Sequence, residues 1–392
     1  CVFLWETSLN ETVCSRNWAE DAVCAAKEEM PGNQMLTATD YQFHGDLYDV
    51  NYKVIDKPGE EYIDQAPEKP VLTREWGDWS GLDQAFRGSG EKALTQQVLT
   101  HQRFLNGDGY PDWGGLTLSK RLGGCFLWSW NDYSRGSETQ PLYSGSVETE
   151  RLKKPLFYWM QSMMNPRQPS SSPMVYIDST YQSFSDRTIH VYSNCDSVSL
   201  YRNGELIGKL SRQEAIVTGV SENIVAWGGS PIFLFSLPDF QPGELLARAY
   251  LDGVEVAVHS VKTPGIAAKI EICPQTLEIE PVADGSDLIP VFFRVVDQQG
   301  TLVTEGSHIL LISVTGKGTL VGKGIQRLSV ENQVTEAGIG FAFIRTTEEP
   351  GEINISVSAK GLASSESTLH TLPNQAPIFP FCIPRIWRKD GE

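Results

Sequence analysis

Two glutamates in the first part of the chain stand where carboxylates can do covalent work. Glu11 closes the run "VFLWETSLNE", with Asn10 directly before it, and Glu75 closes "PVLTRE" inside the stretch "KPVLTREWGDWSG". Each acid follows a run of strand length, and in parallel βα units functional groups gather where strands end at their C-terminal edge. Two acids facing one mouth could cleave a glycosidic bond. One protonates the leaving oxygen while the other attacks the anomeric carbon or activates water. A separation of about 5–5.5 Å implies retention through a covalent glycosyl-enzyme. Trp76 and Trp79 crowd behind Glu75, which suits a sugar-binding mouth of flat rings and a carboxylate. Burial and the like charge of Glu75 are expected to keep Glu11 protonated near neutral pH. A plainer role is open to each acid: Glu11 at a helix N-terminus, where the dipole favours it, and Glu75 as a salt-bridged strand end.

Such acids need parallel strands to hold them, and residues 1–165 have that texture. Apolar runs such as "CVFLWETSLNE", "QMLTATDYQF", "YDVNYKV", "KPVLTREWG" and "GGCFLWSWNDY" alternate with helix-like segments such as "NWAEDAVCAAKEEM" and "EKALTQQVLTHQRFLN". Uninterrupted apolar strands between helices read as parallel strands buried on both faces. The Pro/Ser-rich stretch "NPRQPSSSP" is a linker by composition. Beyond it the pattern changes to short alternating strands over 166–265, with a hairpin predicted at Asn203-Gly204, and again over 266–366 after "KTPG". Seven or so short strands per roughly 100 residues suggest an immunoglobulin-type β-sandwich, here twice, without the Cys-Trp-Cys signature. Residues 367–392 read as an irregular tail.

"WETSLNE", "KPVLTREWG" and "GCFLWSWNDYSRG…RLKKPLFYW", in that order, resemble the C-terminal part of the barrel of glycoside hydrolase family 2, the β-galactosidases, β-glucuronidases and β-mannosidases. The resemblance implies a multidomain α/β plus all-β fold: strands 4–8 of a (β/α)8 TIM barrel, then two sandwiches. It implies that Glu11 is the acid/base, that Asn10 holds the sugar 2-hydroxyl, and that Glu75 is the nucleophile. Tyr52 would hydrogen-bond Glu75, and Trp128 or Trp130 would floor the sugar site. Alternation along a strand sends those two rings to opposite faces, so Trp128 is expected at the site and Trp130 under the helices. Trp76, Asp132 and His44 are further substrate-binding candidates; Asp46 and Asp49 are weaker ones. β-Glucuronidases of this family carry an Asn-x-Lys after the eighth strand. The triplet is absent from "SRGSETQPLYSGSVETERLKKP", so a β-galactosidase-like exo-enzyme is favoured, with β-mannosidase or β-glucosaminidase open.

Other features narrow the partners. Net charge is −17 over 392 residues, which argues against nucleic acid or an anionic membrane face. No apolar run approaches the roughly 20 residues of a membrane span. Seven cysteines without CxxC spacing suggest neither zinc nor a disulfide framework; Cys14 and Cys24 are expected to pack a helix. "LNGDGYPDWGG" lacks the alternating ligands of a calcium loop, so no metal or cofactor is expected. The expected partner is a carbohydrate, and a homo-oligomer is left open. The chain opens at Cys1 without barrel strands 1–3, so it is expected to be a piece, inactive alone; any signal for periplasmic or secreted localisation would lie upstream. The competing readings are a non-catalytic carbohydrate-binding accessory and a structural adhesin.

Overall fold

Short parallel strands and helices open the chain, and antiparallel sheets follow. The structure, a computed structural model, describes residues 3–9, 12–29, 32–38, 44–54, 69–76, 85–105, 122–134, 141–217, 231–276, 278–321 and 332–375. It divides into two units, Cys1–Thr263 and Pro264–Glu392.

In the first unit, β1 (Leu4–Glu6) leads into α1 (Arg16–Glu29) and then β2 (Met35–Thr37), which pairs parallel with β1. Ala19 and Val23, four apart on one helix face, are both buried, and Val23 packs with Leu36, Ala38 and Tyr48, which fastens α1 over β2. β3 (Asn51–Val54), β4 (Val71–Trp76) and β5 (Leu122–Leu127) form a parallel sheet in that order, with α2 (Glu91–Leu105) between β4 and β5. Polar bonds join the two parallel groups. The Asp49 amide donates to Leu36 O at 2.9 Å, and Asp49 Oδ2 accepts the Leu36 amide at 2.9 Å. Thr37 Oγ1 donates to Val50 O at 2.8 Å. Asp49 therefore serves strand pairing, and Asp46 is held by the Arg16 guanidinium at 2.6 and 2.9 Å.

α3 (Pro155–Gln161) precedes an antiparallel sandwich. Its strands are β6 (Val175–Asp178), β7 (Thr188–Ser193), β8 (Ser197–Arg202), β9 (Glu205–Ser211), β10 (Ile216–Val217), β11 (Pro231–Ser236), β12 (Glu244–Leu251) and β13 (Val254–Lys262). They form two four-stranded sheets, ordered β10-β11-β7-β6 and β13-β12-β8-β9. Ile177, Val191 and Phe233 from one sheet meet Val198, Leu200, Leu245, Ala247 and Ala249 from the other. Those β12 residues alternate, as one buried face of a strand requires. The β8–β9 hairpin turns at Asn203 (φ 51°) and Gly204 (φ 85°), the positive pair that a two-residue hairpin turn demands.

α2 and α3 dock on the outer face of the first sheet. Val98, Leu156 and Trp159 pack with Tyr192 and Ile232. Glu91, whose charge suits the first turn of α2, accepts Thr180 N (2.8 Å), Thr180 Oγ1 (2.7 Å), Ser185 Oγ (2.9 Å) and Ser179 Oγ (3.2 Å).

The second unit is antiparallel in its two main sheets. β14 (Lys269–Pro274), β15 (Val282–Ala283), β16 (Leu288–Val296), β17 (Ile309–Gly316), β18 (Gly318–Val321), β19 (Asn332–Val334), β20 (Ile339–Thr346), β21 (Glu352–Ser358), β22 (Ser365–His370) and β23 (Leu372–Pro373) follow in chain order. The main sheets are β14-β16-β20-β18 and β19-β17-β21-β22, with β15 and β23 paired apart from them. Ile289, Val291 and Phe293 alternate inward from β16 to meet Leu310, Ile312, Ile353 and Ile355.

Of the two cysteines expected to pack a helix, Cys14 is buried just before α1, whereas Cys24 lies on α1 exposed to solvent. Its place in the helix turns it away from the face that carries Ala19 and Val23. No helix among the described residues is long and apolar enough to cross a membrane.

Candidate functional site

The outgoing ends of β4 and β5 bring three of the candidates to one sheet edge. Glu75 and Trp76 are the last residues of β4, and Trp76 pairs with Leu127, the residue before Trp128. Parallel register makes both strands leave the sheet at the same level, so the backbones of Glu75, Trp76 and Trp128 are neighbours there. Tyr52, on β3, pairs with Leu72 of β4. Asn10 and Glu11 lie outside the described residues, as does Trp79; β1, which leads toward them, ends at Glu6. His44 is half-buried ahead of the 3-10 turn Gly45–Leu47, on the approach to β3 rather than at an outgoing strand end, and its Nε2 has no hydrogen-bond partner. Lys69 braces that turn from the start of β4, donating to Gly45 O at 2.7 Å and to Tyr48 O.

The segment after β5 is built around Trp128. Its half-buried indole donates from Nε1 to Tyr133 Oη at 2.7 Å, and the two rings meet edge to face at 5.6 Å. The Trp128–Ser129 peptide is cis. Asp132, one residue before Tyr133, turns inward and is 1% exposed. Its Oδ1 accepts the Lys154 ammonium at 2.7 Å and the Gly145 amide at 2.9 Å, so this carboxylate fastens the segment from within the protein. Gly145 is required there, because a Cβ would lie 2.2 Å from Asp132 N. Lys154 also donates to Tyr143 O at 3.1 Å. A second buried pair lies beside the first: Glu148 binds the Arg87 guanidinium and accepts the Arg87 amide at 2.9 Å.

Burial governs the charges of this cluster. It pushes the Asp132 carboxyl up to about 7 against the pull of Lys154, and the Lys154 ammonium down. Glu148 is also raised, by burial, with Arg87 opposing. His101 on α2, its Nδ1 2.8 Å from Gln97 O, is pushed down to about 4 by burial. Trp130 departs from expectation. It is 59% exposed, lies beyond the end of β5, and meets α3 edge-on through Phe157, with ring centroids 5.6 Å apart.

Arg87, Glu148 and Lys154 escaped the sequence reading, although Lys154 carried a signal. It occupies the N-cap of α3 without a side-chain capping bond, where a cation opposes the helix dipole and so needs another occupation. Among the described residues no group of three or more His, Cys, Asp or Glu is placed to hold a metal.

Comparison with known proteins covers both units. The family model described as glycoside hydrolase family 2 C-terminal domain 5 matches residues 277–368. A model described as a domain of unknown function (DUF4982) matches residues 186–257. A β-glucuronidase of Formosa agariphila is 27% identical over 79% of this chain and 31% of its own length. A β-galactosidase of Thermoanaerobacter pseudethanolicus is 25% identical over 94% of this chain and 48% of its own length. The chain thus spans about a third to a half of these curated relatives. Among solved structures, a family 2 β-glucuronidase superposes with a TM-score of 0.70 over 96% of this chain and 39% of its own, at 20% identity. A β-glycosidase of Bacteroides vulgatus superposes with a TM-score of 0.66 over 94% and 51%, at 14% identity. At these identities the structural likeness is one of fold.

Proposed function

We propose that this chain, which belongs to glycoside hydrolase family 2, carries the C-terminal portion of a retaining exo-β-glycosidase, β-galactosidase-like in its sugar. In this reading β1 to β5 are strands 4–8 of a (β/α)8 barrel, and the two sandwiches are immunoglobulin-like. The observation that supports it is the shared outgoing edge of β4 and β5, where Trp76 pairs with Leu127 and the backbones of Glu75 and Trp128 leave the sheet at one level.

Glu75 attacks the anomeric carbon while Glu11 protonates the departing oxygen, which leaves a glycosyl ester on Glu75. The ester neutralises Glu75, so Glu11 loses a repelling neighbour and takes a proton from the water that attacks the anomeric carbon, which breaks the ester bond and returns Glu75 as a free carboxylate. Asn10 holds the sugar 2-hydroxyl, Tyr52 steadies Glu75, and Trp128 floors the site, with Trp76 at its margin; His44, on the approach to β3, is left out of it. The partner is a carbohydrate. Net charge −17 opposes polyanionic partners.

The test is labelling by an activated 2-deoxy-2-fluoro-β-galactoside. Mass spectrometry should find the sugar on the peptide containing Glu75; a label on another side chain overturns the assignment. The protein extended upstream should turn over nitrophenyl β-galactoside, and the present chain alone should not. A β-glucuronide belongs in the same series, because one of the relatives bears that name. If Glu11 and Glu75 act in separate places, neither sugar will label, and a non-catalytic carbohydrate-binding accessory becomes the better reading.

A further inference from the structure

We infer that Tyr133, Asp132 and Lys154 are positioning residues for Trp128, holding its indole as the sugar platform beside Glu75. The inference rests on the glycosidase reading above and extends it to groups that need not touch substrate.

The physical need is plain. Trp128 stands just past the end of β5, ahead of a stretch whose backbone is bridged to residues 142–147 at Asn131–Val147 and Tyr133–Leu142; those bonds hold the chain and leave the indole's own rotation to be fixed by side chains. An indole there can rotate about two side-chain bonds, and a sugar stacks only on a ring held still. Tyr133 limits that rotation twice, through the 2.7 Å bond from Trp128 Nε1 to its hydroxyl and through the edge-to-face contact. Tyr133 is itself held by backbone bonds in both directions with Leu142, at 2.8 and 3.2 Å. Its neighbour Asp132 supplies the anchor. The Asp132–Lys154 pair is 1% exposed on both sides, and removing one member of such a pair leaves an uncompensated buried charge. Lys154 sits at the start of α3, where Leu156 and Trp159 are buried in the core. The chain of support therefore runs from α3 through Lys154, Asp132 and Tyr133 to the indole. Gly145, packed against the backbone of Asp132, leaves the segment no slack.

The experiment uses the full-length enzyme that the glycosidase reading requires, assayed on nitrophenyl β-galactoside beside thermal melting. Tyr133→Phe keeps the ring and removes the acceptor. It should raise KM roughly threefold to tenfold, the effect of one lost hydrogen bond, with kcat little changed, because a platform binds ground and transition states alike. Trp128→Phe should raise KM at least as much. In the double variant Tyr133→Phe should add nothing, since its effect passes through the indole. Lys154→Met should raise KM and also lower the melting temperature. Tyr133→Phe with wild-type KM, or with an undiminished effect in the Trp128→Phe background, overturns the inference while leaving the glycosidase reading intact. A wild-type enzyme silent on all β-glycosides overturns that reading instead and takes this inference with it.

Discussion

At the scale of single residues, the chemistry rests on side chains whose charge depends on how they are enclosed. In the proposed mechanism Glu75 must be charged and Glu11 protonated. Glu11→Gln in the extended enzyme should therefore lower kcat/KM for a poor leaving group by roughly 10²- to 10⁴-fold, with a smaller loss for a nitrophenolate, which needs little protonation. Asp178 offers a test free of any assumption about activity. It is 5% exposed on β6, and its Oδ2 accepts Tyr192 Oη at 2.5 Å and Thr95 Oγ1 at 2.9 Å. Burial pushes its carboxyl from 3.8 up to about 7, with the negative charge of Glu91 adding to the rise. Because the folded state favours the proton, this stabilisation is complete below about 4 and is lost as pH rises toward 7. Asp178→Asn should gain on the wild type across that window, by at most roughly 1.4 kcal/mol per pH unit. Melting curves at several pH values would show it; a difference that does not vary with pH refutes it. His101, pushed down to about 4 by burial, has the opposite sign and loses stability as pH falls from 6.5.

At the scale of elements, α2 carries the junction between the parallel strands and the first sandwich. Its apolar contact runs through Val98, and its polar contact through Glu91, on which four donors from residues 179–185 converge. Removing that acceptor strands donors in a half-buried loop. Glu91→Ala should destabilise the first unit by about 2–4 kcal/mol, with Glu91→Gln milder. Equal melting of Glu91→Ala and wild type would show that apolar packing alone holds the helix. The existence of α2 was legible in "EKALTQQVLTHQRFLN", a run of good helix formers opening on an acid. Its partner was not legible, because the donors come from residues about 90 positions later and carry no periodic mark.

At the scale of the whole molecule, each unit owns a separate apolar core. Phe233 belongs to the first and Phe293 to the second, both fully buried. Calorimetry on the intact chain should therefore respond to one change at a time. Phe293→Ala should lower the transition of the Pro264–Glu392 unit by about 3–5 kcal/mol and spare the other, with Phe233→Ala doing the converse. A single transition shifted by both substitutions would show that the units unfold together.

Pattern alone determined a good deal of this protein. Chain-local physics makes parallel strands of "VLTREW" and "LGGCFL", puts glycine in the Asn203-Gly204 turn, and alternates burial along β12 and β16. The motifs around Glu11 and Glu75 carried the family. Tertiary structure decided which charged groups are enclosed. Asp132 reads in the sequence like any loop acid beside a sugar platform, yet it is fixed inside by Lys154, twenty-two positions on. Trp130 reads like a core aromatic and lies open to solvent. Burial is a property of what surrounds a group in space; a hydrophobic period records only which face of its own element a residue occupies.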